Sequence, residues 1–355
     1  MKANVFILLF IFIFFSSPLS KAQQEVTGRI TDASNGKPMS FASIHISNTT
    51  IKTISDESGN YSLIVQGWGS FEIVVSYLGY NPVFHKVDLP DSFHHIDFAL
   101  RVSEIMMKEV TINAAGSKHK QKDIDLFWRT LLGEKPSKNG LEVLNPEKMY
   151  YYLNNDNILT ASCHEPIEIV NHQMGYRIQF ILQNFKHNYS NNETEYYGAP
   201  FFEELIPQNN RENSRWERKR KEVYSISFTR FLRALYSQKI HKEGFLLVYG
   251  DSIKNKKSLP VNLNEILQVE QEIVRVNVNT PLVLMCIAKP VTDQIIENSY
   301  REIWMKDEFS PIIVLRPQQI IINSDGTYAG LLETQEIQKS IFGLSAKLPI
   351  EYIDE

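Results

Sequence analysis

Between Val26 and Leu100 the chain alternates apolar and polar residues in runs that turn residues cut short before a helix could form. Ala42-Ser43-Ile44-His45-Ile46-Ser47, Tyr61-Ser62-Leu63-Ile64-Val65 and Phe71-Glu72-Ile73-Val74-Val75-Ser76-Tyr77 each send about every second side chain to one face. Thr27-Gly28-Arg29-Ile30, Gly36-Lys37-Pro38, Asp56-Glu57-Ser58-Gly59-Asn60 and Tyr77-Leu78-Gly79-Tyr80 punctuate them. Period-two runs at this spacing predict short antiparallel strands packed as a two-sheet sandwich. The turn at Asp56 and Gly59 has a local mechanism. An Asp side chain accepts backbone N–H bonds two residues on, and glycine takes the positive φ that closes the hairpin.

The first 22 residues follow a different rule. Lys2 precedes an apolar run from Val5 to Phe15, and Ser20-Lys21-Ala22 supplies a small-x-small site, the layout of a secretory signal peptide. That run is about half of the ~20 residues a spanning helix needs, so cleavage before Gln23 is expected. Later apolar runs, such as Phe245–Tyr249 and Pro281–Ala288, are strand-sized. The mature chain is therefore expected to carry no transmembrane segment and to lie in the periplasm or at the outer-membrane or cell surface. Removing Lys2 and Lys21 from a formal net charge of −4 leaves −6, which favours solubility and gives no general attraction to polyanions. Cys163 and Cys286 are the only cysteines. One bridge between them and two buried thiols both stay open.

About 333 residues after the signal exceed what one hydrophobic core organises. The expected division is a signal peptide at 1–22, a β-sandwich at 23–101, a linker at 102–122 and an α+β domain at 123–355. The linker rests on Ala114-Ala115-Gly116-Ser117-Lys118-His119-Lys120-Gln121-Lys122, small, polar and basic after the strand-like Glu109–Asn113. Ile124, Phe127, Trp128, Leu131 and Leu132 keep helical spacing and predict a helix over 123–132. Phe228, Phe231, Leu232, Leu235, Tyr236 and Ile240 predict a second over 226–240. Strands are expected at 167–170, 176–185, 274–278, 282–287 and 312–315, with a hairpin joining 320–322 to 328–332 through Ser324-Asp325-Gly326. A mainly antiparallel sheet follows.

The opening Val26–Ile30, the run from Pro38 to Ile46, the turn from Thr53 to Tyr61 and the segment Val75–Tyr80 resemble the carboxypeptidase-regulatory-like family. The resemblance implies a transthyretin-like or immunoglobulin-like β-sandwich of the seven-stranded type, an accessory module without an active site of its own. Similar modules precede the plug and barrel of TonB-dependent receptors in Bacteroidota-type bacteria, but the residues after 122 lack the repeated alternating segments a membrane barrel needs. The second half looks like the uncharacterised region found beside the sandwich in Bacteroidota-type proteins named for this domain. Leu144-Asn145-Pro146, Pro166–Ile169 with Asn171, Gly175-Tyr176, Tyr197–Phe201, Trp216 with Arg220 and Tyr224, and Phe231–Leu235 carry that likeness.

A zinc peptidase needs two His and a carboxylate as ligands plus a base. The chain has no His-Glu-x-x-His and no His-x-x-Glu, and its tight histidine group, His94-His95 with His85 nearby, lies on strand and loop positions, so carboxypeptidase activity is rejected. Cys163-His164-Glu165 is adjacent in sequence, whereas catalytic groups are assembled from distant segments. No Gly-x-Ser-x-Gly and no phosphate-cradling Gly-rich loop occurs. Asp56 does not open a calcium loop, because Gly67 stands where the bidentate carboxylate would be. No cofactor is implied.

The strongest electrostatic feature is the segment 211–242, with a net charge of +7 in an acidic protein. Arg215, Arg218, Lys219, Arg220, Lys221, Arg230 and Arg233 form the candidate patch for an anionic partner, since guanidinium pairs bidentately with phosphate and carboxylate. The bland reading is a helix face whose arginines pair with acids of the same domain. The sequence thus points to an exported non-enzymatic envelope protein, with the sandwich docking or spacing and the second domain recognising an envelope protein, glycan or lipid surface, and not nucleic acid. The alternative is an envelope hydrolase of unfamiliar type, with its site in 123–355.

Overall fold

The computed structural model describes residues 23–66, 70–88, 95–103, 117–133, 140–250, 260–270, 273–286, 310–316, 318–329, 334–336 and 343–354. The expected signal at 1–22, His94 and the strand-like run at 109–113 lie outside the described residues.

Among the described residues seven strands build the first unit: β1 (Gln23–Asp32), β2 (Ser43–Ile46), β3 (Lys52–Ile54), β4 (Asn60–Gln66), β5 (Ser70–Ser76), β6 (Val83–Asp88) and β7 (Phe98–Leu100). They form two sheets ordered β4-β1-β7 and β3-β2-β5-β6. Pairing is antiparallel except between β1 and β7. The inward positions of the alternating runs, Ile44, Leu63, Ile73 and Val75, meet Ile30 and Leu100 in one buried core. Alternation becomes a sandwich because each strand hides one face in this core.

The chain then enters α1 (Ser117–Leu132), which begins six residues earlier than the periodicity predicts and so takes 117–122 out of the expected linker. Those residues, Ser117 to Lys122, are polar and add turns to the helix without adding to its apolar stripe. Phe127, Leu131 and Leu132 pack on a six-stranded antiparallel sheet. Its strands are β8 (Leu141–Val143), β9 (Met149–Leu153), β10 (Ile158–Cys163), β11 (Ile167–Asn171), β12 (Tyr176–Asn188) and β13 (Glu193–Glu204). The long β12 pairs along its whole length with β13, and on its other edge with β11 and then β10.

Two helices follow, α2 (Asn210–Ser225) and α3 (Phe228–Tyr236). The remaining elements are β14 (Phe245–Tyr249), α4 (Leu263–Ile266), β15 (Leu267–Glu270), β16 (Ile273–Val278), β17 (Leu282–Cys286), β18 (Ser310–Leu315), β19 (Gln318–Ile322), β20 (Tyr328–Ala329) and β21 (Thr334–Glu336). They make two four-stranded antiparallel sheets, β14-β17-β18-β21 and β15-β16-β19-β20. Phe231, Leu232 and Leu235 of α3 seal the core between these sheets. The expected α+β domain at 123–355 therefore holds two separate hydrophobic cores. Helix α2 buries only Trp216 and Val223, and Val223 enters the core that α1 shares with the six-stranded sheet.

The sandwich lies face-on against the middle sheet. His45 of β2 meets the Phe201 ring at 5.4 Å, Val74 packs with Ile181 and Ala199, and Phe84 meets Tyr197 at 6.2 Å. The β2–β3 loop continues the contact through backbone pairing. Asn48 N–H donates to the Pro200 carbonyl at 2.7 Å, and Phe202 N–H to the Thr49 carbonyl at 3.0 Å. Residues 343–354 then strap the units together. Leu344 enters the middle core, Ile350 N–H donates to the Asn48 carbonyl at 2.8 Å, and Glu351 accepts from Thr50 N–H at 2.9 Å. Among the described residues no helix is long and apolar enough to cross a membrane.

Candidate functional site

Helix α2 opens with a reciprocal cap. The Asn209 side chain accepts from Glu212 N–H at 3.0 Å, and the Glu212 carboxylate accepts from Gln208 N–H at 2.8 Å, satisfying donors the first turn leaves unpaired. One turn on, Trp216 donates its indole N–H to the His172 carbonyl at 2.9 Å. Its ring lies so close to Gly175 that a Cβ there would fall 2.2 Å away, and Gly175 has φ +68°. Arg220 completes this clamp. Nε donates to the Met174 carbonyl at 2.7 Å, and the guanidinium lies 4.1 Å from the centre of the Tyr176 ring. The residues that carried the likeness, Gly175-Tyr176, Trp216 and Arg220, are thus one mechanical joint between the β11–β12 turn and α2.

Arg233 on α3 is a second joint. Nε donates to Asp325 O at 2.8 Å, Nη1 to Tyr224 Oη and Tyr352 O, both at 2.8 Å, and Nη2 to Ile350 O at 2.6 Å. Four donors of one guanidinium hold the β19–β20 turn, α2 and the 343–354 strap. Arg230 is engaged less completely. It donates to Ser225 O at 2.6 Å and Glu243 Oε2 at 2.7 Å, and its plane stands 5.3 Å from the Phe245 ring. A guanidinium carries five N–H donors, so Arg230 keeps donors that no described partner takes up.

Between these two arginines opens a cleft of about 300 Å³, lined by Tyr224, Arg230, Arg233, Ala234, Ser237, Glu243 and Asp354. Its groups are cations held in place, two carboxylates, a phenol and an alcohol. Asp354 is tied to Lys221 at 2.8 Å, which raises the lysine pKa. Ser237 Oγ donates back to the Arg233 and Ala234 carbonyls at 2.9 and 3.3 Å, as a serine at a helix end does. Among the described residues no imidazole or thiol lines the cleft.

Of the other residues singled out in the basic segment, Arg215 pairs with Glu212 at 3.1 Å, Lys219 with Glu222 at 2.8 Å, and Arg218 is exposed. The patch therefore divides. Arg220, Arg230 and Arg233 turn inward, whereas Arg215, Arg218 and Lys219 stay on the outer face of α2. At the sandwich turn, Asp56 Oδ1 accepts from the Asn60 and Ser58 N–H groups, each at 2.8 Å, lowering the carboxyl pKa, while Gly59 takes φ +79°. Cys163 and Cys286 are free thiols in different cores, so the bridge left open by the sequence is not formed. Burial raises the Cys163 pKa and pushes the Cys286 thiol up to about 11. His95 contacts Asp97 at 3.2 Å and His85 packs on Phe98. Among the described residues no three His, Cys, Asp or Glu side chains converge as a metal cluster.

The cleft's acids, Glu243 and Asp354, escape sequence reasoning because they reach Arg230 and Lys221 from elsewhere in the chain. So does buried His187, whose Nδ1 lies 2.8 Å from Thr194 Oγ1 and whose ring meets Tyr189, itself donating to Asp123.

No match was found among curated proteins. Among solved structures, 3-chlorocatechol 1,2-dioxygenase from Rhodococcus opacus 1CP is 10% identical, over 24% of this chain and 61% of that one, with a TM-score of 0.20. Catechol 1,2-dioxygenase from Pseudomonas arvilla C-1 is 11% identical over 29% of this chain and 58% of its own, with a TM-score of 0.21. This chain thus spans less than two thirds of either enzyme. A protein of unknown function from Bacteroides fragilis NCTC 9343, described as membrane-associated, is 14% identical over 53% of this chain and 84% of that chain, with a TM-score of 0.18. The model of the CarboxypepD_reg-like domain matches residues 26–112. Residues 26–112 are thus a carboxypeptidase-regulatory-like domain, a β-sandwich of the immunoglobulin-like kind, joined to a region of α+β character.

Proposed function

We propose that this protein is an exported, non-enzymatic recognition protein of the cell envelope. The sandwich is its fixed platform, and the cleft between Arg230 and Arg233 is the place where the region after it holds an anionic group of a partner. The observation that carries this reading is Arg230, which lines the cleft and is pinned by Ser225 and Glu243, with no further hydrogen-bond partner among the described residues. A guanidinium already fixed in place loses little freedom on binding, and it matches a phosphate or carboxylate edge. Glu243 acts as an internal stand-in for that anion. The Ser237 hydroxyl faces helix carbonyls instead of a base, which favours binding over hydrolysis.

The test is calorimetric titration of the chain from Gln23 onward with inorganic phosphate and with glycerol phosphate. Glu243→Gln removes the internal competitor and should tighten binding about tenfold, whereas Arg230→Met should abolish it. Phosphate affinity that is undetectable in both the parent and Glu243→Gln would sink the proposal.

A further inference from the structure

The cleft between Arg230 and Arg233 carries both signs of charge, and a bare anion suits only one of them. Its lining sets two carboxylates, Glu243 and Asp354, beside the two guanidiniums. Glu243 finds its cation within the lining, because its Oε2 accepts from Arg230 at 2.7 Å. Asp354 finds its cation outside. Its Oδ1 is tied at 2.8 Å to Lys221, which is not among the lining residues. A carboxylate offers about four acceptor sites, and that bond takes one.

The guanidiniums are unequal as well. Arg233 spends four donors on the neutral oxygens of Asp325, Tyr224, Tyr352 and Ile350. Arg230 is the one whose partner is a carboxylate that an incoming anion can replace. Replacement has a consequence for the ligand. An anion seated on Arg230 leaves Glu243 without its cation and sets a new negative charge beside Glu243 and Asp354, an arrangement that like-charge repulsion disfavours. A ligand that brings its own cation removes the conflict.

The acceptors left in the lining describe that cation. Ser237 gives its hydroxyl proton to the Arg233 and Ala234 carbonyls, so toward the cleft its oxygen accepts. With Glu243 released, Glu243, Asp354 and Ser237 supply three acceptors, the number of N–H donors on a primary ammonium. A quaternary ammonium has no N–H, and its recognition uses several aromatic faces. Tyr224 is the aromatic residue of the lining among the described residues. Both signs face one cleft of about 300 Å³, the small end of ligand pockets, so a ligand the size of a headgroup reaches them together.

We propose that the cleft takes a zwitterion: a phosphate whose carrier bears a primary ammonium, with the phosphate on Arg230 and the ammonium among Glu243, Asp354 and Ser237. This extends the reading of the cleft as an anion site and stands only if that reading does. Lys221 then plays toward Asp354 the part that Glu243 plays toward Arg230, an internal stand-in for the ligand's own charge.

In calorimetric titration of the chain from Gln23 onward, phosphoethanolamine should bind about fivefold more tightly than ethyl phosphate, and more tightly than phosphocholine. Asp354→Asn should erase the preference over ethyl phosphate, and Lys221→Met, which removes the internal cation, should widen it. Glycerophosphoethanolamine against glycerophosphoglycerol repeats the comparison for a diester. Preference in the monoester pair alone assigns the ligand to a free phosphate ester, and preference in the diester pair as well assigns it to a lipid headgroup. Preference in neither pair, with phosphate still bound, overturns the zwitterion and leaves the anion site standing. A preference that Asp354→Asn keeps, or phosphocholine binding as tight as phosphoethanolamine, overturns it too. Failure of every phosphate in both the parent and Glu243→Gln sinks the anion site itself and the zwitterion with it.

Discussion

His45 sits in the seam between sandwich and middle sheet, 3% exposed against Phe201, with no hydrogen-bond partner at Nε2 among the described residues. Burial, and to a lesser degree Lys52, lowers its pKa to about 3. The folded chain therefore keeps this imidazole neutral where the unfolded chain binds a proton, below about pH 6.5. Its effect on stability is nil above that pH and unfavourable below it, growing by up to about 1.4 kcal/mol per pH unit down to pH 3. Urea unfolding of the parent and of His45→Leu at pH 7.5 and near pH 5 should show the parent losing more stability than the variant; equal losses would remove His45 from the seam's pH response. At Gly175 a side chain would meet Trp216 and take φ +68°, so Gly175→Ala should cost about 2 kcal/mol or more in the same assay. Asp56 and His45 differ in how far a sequence betrays them. Asp56 can be read from its neighbours, because its partners Ser58 and Asn60 are two and four residues away, whereas nothing beside His45 announces Phe201.

Elements with one apolar stripe were legible, and those without were not. In α3, Phe231, Leu232 and Leu235 keep helical spacing because that helix seals a core. The β19–β20 hairpin announces itself by Asp325-Gly326, with Gly326 at φ +83° and Ile322 opposite Tyr328. Helix α2 escaped because its two buried residues, Trp216 and Val223, stand seven apart in a polar sequence, too sparse to give a period. Such a helix leans on its cap and its clamps more than on burial. Asn209→Ala should therefore lower stability by about 1 kcal/mol, read as a shift in the urea midpoint without a change in slope; a shift below a few tenths would mean that the Trp216 and Arg220 joints hold α2 unaided. The β9–β10 hairpin also went unread. Its tyrosine-rich run lacks strict alternation, and its turn is built by Asn154, whose side chain accepts from Asp156 and Ile158 N–H groups.

The described residues form three cores and one strap. Sequence length foretold more than one core, and alternation foretold the sandwich, but neither foretold the face-on seam, which rests on pairs such as Val74 with Ala199 and Asn48 with Pro200 from distant segments. The strap is equally silent, since residues 343–354 bury only the side chains of Leu344 and Pro349, too few to give a period, and hold otherwise through the partly buried Ala346 and Leu348, backbone carbonyls and the Glu351 carboxylate. A chain ending at Phe342 should melt in two steps in a scanning calorimeter where the whole chain melts in one, because Arg233 would lose two of its carbonyls and Thr50 its carboxylate. A single unshifted transition would show that the seam holds without it. The bond between Thr50 and Glu351 spans 301 positions, and contacts of such separation close slowly. During synthesis the sandwich can mature early, while this latch waits for Glu351 to emerge. Until then Asn48 and Thr50 offer open backbone and hydroxyl groups to any neighbouring chain, and the interval before closure is when a chaperone would matter most to this protein.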